Sequence, residues 1–257
     1  MSGQHMDGQC SRKVALVTGG GRGIGAAVAS ALAQRGYDLV LTYAHRAADA
    51  QCVAESLGDF GATVTLHCAD AADRVAMKSV IEQTWARFGR IDAVVNNAGM
   101  LQQKAFETIT DDDWARMLDV NVKSVFICAQ EVMPFFSRQG AGAMVNVASS
   151  GGQLGGTLAV HYAASKAAVI SLTKSLARIG AAHNVRVNCV SPGLIETQMT
   201  AAEIASEAGQ DKIANHIPVK RQGRPQEVAA AIAYLLSDDA TYITGQTINV
   251  NGGLYMG

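Results

Sequence analysis

Tyr162 and Lys166 stand four residues apart in the run His161-Tyr162-Ala163-Ala164-Ser165-Lys166, and Ser149 lies thirteen residues before the tyrosine. Positions i and i+4 share one face of a helix, so this spacing can bring an ammonium close to a phenol. A free tyrosine titrates near pH ~10 and is a poor proton donor or acceptor at neutral pH. A neighbouring positive charge favours the phenolate and pulls that pKa down. A hydroxyl on Ser149, delivered from the end of a preceding strand, could hold a carbonyl or alcohol oxygen beside the phenol. Such a trio moves a proton to or from an oxygen while another group moves a hydride. An amphipathic helix with a solvated lysine also carries Tyr-x-x-x-Lys, so the pair needs a second signal.

That signal lies near the N-terminus. Val14-Ala15-Leu16-Val17 reads as a buried parallel strand. Thr18-Gly19-Gly20-Gly21-Arg22-Gly23-Ile24-Gly25 follows, and then an alanine-rich helical stretch from Ala26 to Arg35. Strand, glycine turn and helix form the context of a dinucleotide site. The glycines let the backbone approach a pyrophosphate, and the free N–H groups of the helix start meet its charge. The spacing Gly19-x-x-x-Gly23-x-Gly25 differs from Gly-x-Gly-x-x-Gly, the more familiar dinucleotide fingerprint.

The elements that must hold these groups alternate along the chain. Strands are expected near 14–18, 38–43, 63–67, 92–95, 143–148, 185–190 and 247–250, and helices near 23–35, 48–58, 72–88, 112–137, 161–182 and 225–236. This rhythm predicts an α/β fold, a doubly wound, mainly parallel sheet with helices on both faces, in one domain over 12–257. Residues 1–11 read as a loose polar tail. The stretch from Leu194 to Pro225 leaves the rhythm and sits next to Pro192-Gly193, so it is expected to act as a lid over the site.

Composition narrows the function classes. Lys and Arg total 21 against 22 Asp and Glu, which gives no electrostatic case for nucleic acid or an anionic membrane. No apolar run is long enough to span a bilayer, and the polar start lacks a signal-peptide core. Five scattered cysteines without Cys-x-x-Cys, and six histidines without ligand spacing, point to a cytoplasmic protein with neither disulfides nor a structural metal.

Six motifs in order, Thr18-Gly19-x-x-x-Gly23-x-Gly25, Asn96-Asn97-Ala98-Gly99, Asn121, Ser149, Tyr162-x-x-x-Lys166 and Pro192-Gly193 with Thr197, resemble the short-chain dehydrogenase/reductase family over about residues 12 to 254. The resemblance implies a seven-stranded sheet of order 3-2-1-4-5-6-7. It implies that Tyr162 is the general acid in reduction and general base in oxidation, and that Lys166 lowers its pKa and bonds the nicotinamide ribose. Ser149, rather than the adjacent Ser150, would orient the substrate oxygen, and Asn121 would hold a water linking Lys166 to solvent. Coenzyme contacts would come from Gly19, Arg22, Gly23, Ile24 and Gly25, from Tyr43 and Arg46, from Asp70 and Ala71 at the adenine, and from Asn97, Ala98 and Gly99. Tyr162, Lys166, Pro192, Gly193, Ile195 and Thr197 would complete that set.

Coenzyme choice turns on the end of the second strand. Tyr43 stands where relatives that prefer NAD carry an acid, and Thr42 to Arg46 holds no carboxylate but ends in His45-Arg46. Arg22 adds a second cation, so NADP(H) is expected over NAD(H). The C-terminal half most resembles 3-oxoacyl-[acyl-carrier-protein] reductases, implying an acyl-thioester substrate and a possible acyl carrier protein partner. Gly140 and His183 occupy two places where a docking cation is expected, with Arg138 and Arg178 nearby. Gly151 to Thr157, facing Met100 and Leu101, suit an uncharged carbonyl compound or acyl chain, which leaves a sugar, polyol or small ketone as the alternative substrate. Family resemblance implies a homotetramer, with the helices at 112–137 and 161–182 packing across a two-fold axis. A serine hydrolase is weakly signalled: Ser149 lacks the first glycine of Gly-x-Ser-x-Gly, and Ser171-Leu172-Thr173-Lys174 lacks the partners of a Ser-x-x-Lys enzyme. A non-catalytic dinucleotide sensor has no need of Asn121, Ser149, Tyr162 and Lys166 together.

Overall fold

The short apolar runs become a single sheet because each must be covered on both sides. A computed structural model describes residues 12–257; the expected tail at 1–11 lies outside the described residues. Seven strands, β1 (Lys13–Thr18), β2 (Tyr37–Tyr43), β3 (Val64–Cys68), β4 (Ala93–Asn96), β5 (Gly142–Val147), β6 (Val185–Pro192) and β7 (Thr247–Val250), pair in the order β3-β2-β1-β4-β5-β6-β7. Every pairing is parallel.

Alternate residues of the strands enter two apolar layers. Ala15, Val17, Leu39 and Leu41 pack with Val28 and Leu32 of α1 (Gly23–Ala33), Leu57 of α2 (Ala47–Leu57) and Ile232 of α10 (Pro225–Leu236). Val14, Leu16, Val40 and Met144 pack on the other face with Met77 and Ile81 of α3 (Arg74–Phe88), Phe136 of α5 (Ser124–Gln139) and Leu176 of α7 (Val160–Ala181). Each such buried side chain contributes on the order of 1.5–3 kcal/mol. The strand order reverses between β1 and β4, which opens a crevice at the carboxyl ends of the strands.

One expected helix is corrected by the structure. The helix expected over 112–137 is three pieces: α4 (Asp111–Leu118), a π-helical turn at Asp119–Lys123, and α5. A capping box between Thr110 and Asp113 starts α4. The π turn carries Asn121 fully buried, toward hydrogen-bond partners that the hydrophobic pattern does not reveal. The stretch after β6, expected as a lid, carries short helices. It forms α8 (Ala201–Ala205), α9 (Glu207–Asp211) and a second π turn at Lys212–His216 before α10. The remaining helix, α6 (Gly151–Leu154), is one turn after β5.

Candidate active site

The glycine turn is shaped by backbone contacts. Gly19 and Gly23 adopt φ of +64° and +54°, a region where a side chain is strained. A Cβ on Gly25 would lie 2.2 Å from the Gly19 carbonyl oxygen, so the turn closes only without a side chain there. The N-terminus of α1 is capped by no side chain, which leaves its N–H groups for an anion. The loop after β4 is stapled to this turn. The Asn97 amide donates to the carbonyls of Thr18 and Gly19, both at 3.0 Å, and the N–H groups of Asn97 and Ala98 donate to the Thr18 hydroxyl at 3.1 and 3.0 Å. Thr18 was not among the expected site residues; its place just before the glycines was the available signal.

Around this turn lie the other expected coenzyme residues. Tyr43 ends β2, and Arg46 begins α2 with φ +60°. The guanidinium groups of Arg22 and Arg46 both donate to the side-chain oxygen of Gln198, at 3.0 and 3.2 Å. Asp70 is exposed and Ala71 buried at the end of β3. The side chain that caps α3 is Asp73, which accepts from Val75 and Ala76, so Asp70 is not spent on that task. Pro192 ends β6, and a Cβ on Gly193 would lie 2.8 Å from Asn251. Ile195 is buried, and the Thr197 methyl would lie 3.5 Å from a Cβ on Gly23, which places the segment after β6 over the glycine turn. Ile24 packs against the core layer of α1. A cradle of close-approaching glycines, an uncapped helix start and two convergent arginines fits a nicotinamide dinucleotide.

The proton-moving groups meet at the ends of β5 and β4. Ser149 follows β5, and its hydroxyl and the ring of half-buried Tyr162 converge at Gly151, where a Cβ would lie 3.5 Å from the serine oxygen and 3.7 Å from the tyrosine ring. Ser150 is buried, and its main chain bonds Pro192 and opens α6. Lys166 is buried under the site; its ammonium donates to the Val147 carbonyl at 2.9 Å and lies 5.8 Å from the centre of the Tyr162 ring. A Cβ on Gly99 would lie 3.4 Å from that ammonium and 3.1 Å from the Asn121 oxygen, so glycine keeps the space between β4 and α7 open.

One expected effect changes. Burial pushes the Tyr162 phenol up from its ordinary value; the nearby Ser149 hydroxyl opposes this, and the charge of Glu203 adds to it. The expected lowering by Lys166 is not the result here, because that ammonium points to Val147 and burial pulls its own pKa down to about 8. The Asn121 side chain is engaged by protein. Its oxygen accepts from Met100 N–H at 2.8 Å, and its nitrogen reaches the Met100 carbonyl and the Ser165 hydroxyl, each at 3.0 Å. Ser165 in turn donates to the Tyr162 carbonyl at 2.7 Å. The amide therefore ties the loop after β4 to the tyrosine's own turn of helix. His161 is fully buried beside Tyr162, 2.8 Å from the Gln102 oxygen, and Gln102 donates to Asp113 at 2.8 Å. Neither residue carried a sequence signal.

The rival motif is not assembled: Ser171 and Lys174 are both exposed in the middle of α7. Of the two candidate docking cations, Arg138 stacks over Trp85 at 5.4 Å, and Arg178 is exposed. No helix among the described residues is long and apolar enough to cross a membrane.

Comparisons with known proteins agree with this geometry. The family described as Enoyl-(Acyl carrier protein) reductase matches residues 19–255. The 3-oxoacyl-[acyl-carrier-protein] reductases FabG of Staphylococcus epidermidis, Staphylococcus aureus and Salmonella typhimurium are 40% identical over 244 residues. These matches span 95% of this chain and 98–99% of theirs. The crystal structure of levodione reductase superposes with a TM-score of 0.89 at 33% identity, covering 94% of this chain and 96% of its own. A Rossmann sheet that matches throughout its length, with a tyrosine, a serine and a lysine gathered at the switch in strand order, makes this chain an NAD(P)-dependent oxidoreductase of the short-chain dehydrogenase/reductase family.

Proposed function

We propose that the protein reduces the 3-oxo group of an acyl thioester to a hydroxyl, with NADPH as the preferred coenzyme. The observation that carries this reading is the convergence of Ser149 and Tyr162 at Gly151, which sets two hydroxyl-bearing side chains side by side where one further oxygen can sit. The bound coenzyme supplies the hydride. The carbonyl oxygen of the substrate accepts from Ser149 and Tyr162, and Tyr162 delivers its proton to that oxygen as negative charge builds there. A phenol held up by burial stays protonated at neutral pH, the form that reduction needs. Lys166 keeps positive charge beneath the phenol and would meet the ribose of the coenzyme. Asn121 fixes the loop at Met100 and the helical turn of Tyr162.

Preference for NADPH rests on Arg22 and Arg46. Their guanidinium groups already converge on one acceptor oxygen, which is the arrangement a phosphate on the 2′ position requires. No carboxylate lies between Thr42 and Arg46 to repel it. An acyl chain is favoured because Leu154, Leu158 and Met199, on the segments beside the site, are exposed apolar side chains. An acyl carrier protein would meet Arg178 more readily than Arg138, which already lies over Trp85. We assign the segment from Leu194 to Pro225 as the lid, the cytoplasm as the compartment, and a homotetramer as the assembly. Exposed Phe126 of α5 and Ile179 of α7 support packing across a two-fold axis.

A purified sample offered an acetoacetyl thioester, simple ketones and polyols, with NADPH or NADH absorbance followed, tests the reading. The thioester is expected to turn over fastest, and with NADPH. Faster reaction of a ketone or polyol would move the substrate to the alternative class, and equal efficiency with NADH would overturn the coenzyme assignment.

A further inference from the structure

One carboxylate at the site is not used by the chemistry above. Glu203, on α8, accepts from the Gln103 amide at 3.3 Å and from the Lys212 ammonium at 3.0 Å. Its side chain is only 23% exposed although its helix lies on the surface. Gln103 belongs to the loop after β4, and the adjacent Gln102 holds His161, the residue before Tyr162. The loop thus stands between α8 and the catalytic helix, and Glu203 reaches it from the lid side. The Tyr162 phenol feels this charge, which adds to the rise in its pKa.

We propose that Glu203 is a specificity-determining residue: anchored by Lys212 and tied to Gln103, its carboxylate selects against substrates that carry an anionic group next to the reacting carbonyl. This rests on the reading that Tyr162 receives the carbonyl oxygen. A like charge in a partly dry site repels enough to decide between two otherwise similar substrates. A neutral 3-oxoacyl ester or thioester passes, and the corresponding free 3-oxo acid is refused. The Lys212 ion pair sets the strength of this filter, because it partly neutralises the carboxylate.

The test compares ethyl acetoacetate with acetoacetate at saturating NADPH for wild type, Glu203→Gln and Lys212→Met. Wild type is expected to prefer the ester. Glu203→Gln should raise kcat/KM for the acid relative to the ester about five- to tenfold. Lys212→Met, which leaves the carboxylate unneutralised, should move the same ratio the other way. A latch without electrostatic selectivity would move both variants in one direction and both substrates by one factor, and that result overturns the proposal. Inactivity of wild type toward both compounds would count against the 3-oxoacyl reading. The charge effect is then read without substrate, by titrating the phenol of Tyr162 by ultraviolet difference against Tyr162→Phe. Lys166 lies over that ring, and Ser149 and Glu203 act on its pKa in opposite directions. Its midpoint should fall in Glu203→Gln, and an unchanged midpoint overturns the proposal.

Discussion

The two halves of the cleft are built from different materials. On the coenzyme side, main-chain atoms do the shaping: left-handed Gly19 and Gly23, the contact of Gly25 with the Gly19 carbonyl, and the Asn97 amide bonded to two carbonyls. On the substrate side, side-chain tips do it: Glu203 with Gln103 and Lys212. Backbone shaping tolerates almost no substitution, because there is no rotamer to move aside. Side-chain shaping can be retuned one residue at a time. One fold can therefore keep a coenzyme and vary its substrate.

The largest effect is expected where that backbone contact is tightest. Gly25→Ala must displace either the Gly19 carbonyl or the Asn97 amide, which a Cβ would approach to 2.2 and 2.6 Å. The variant should lose about 1–3 kcal/mol of stability to overpacking and bind NADPH more than tenfold more weakly, read by urea denaturation and by fluorescence titration. Wild-type affinity would mean that the turn can open without cost, and the contrast between the halves would fail.

A smaller effect belongs to the buried ammonium that both halves share. Burial brings Lys166 from 10.5 down to about 8, so between those values the unfolded chain binds a proton that the folded protein does not. Stability therefore rises with pH through that window, and the penalty for burying the charge is full only below it. Relative to Lys166→Met, wild type should gain about 3 kcal/mol between pH 7 and 10.5. Urea denaturation at several pH values checks this; a difference that stays flat would show that the ammonium keeps its ordinary pKa.

The smallest effect is expected where exposed side-chain tips alone make the contact. Gln198→Ala removes the acceptor that both arginines share, but all three side chains are exposed. Stability should change by no more than about 0.5 kcal/mol, and the KM for NADPH by less than about threefold. A loss as large as that of Gly25→Ala would erase the distinction drawn here.

The same contrast governs what the sequence disclosed. All seven strands were legible to within two residues because each apolar run must be buried on both faces. The glycine turn and the tyrosine–lysine pair were legible because their function lies in spacing along one element. The π turn at Asp119–Lys123 was hidden, since an apolar pattern runs through it and the reason for the extra-wide turn is a set of partners at Met100 and Ser165. Glu203, Gln102 and Gln103 were hidden for the same reason. A glutamate on a short surface helix reads as solvated until the loop it touches is known. The rise in the Tyr162 pKa was likewise unreadable, because i, i+4 spacing fixes the face of a helix but not where an ammonium points.

The central claim is that the Tyr162 phenol gives its proton to the substrate oxygen while taking little part in holding the coenzyme. Turnover of Tyr162→Phe with an acetoacetyl thioester, measured beside its Kd for NADPH, tests it most directly. The account predicts a loss of about a thousandfold or more in kcat, in the upper part of the range for a general acid, with NADPH affinity within about twofold of wild type. Turnover at the wild-type rate, or a loss of rate that tracks a loss of NADPH binding, would contradict it.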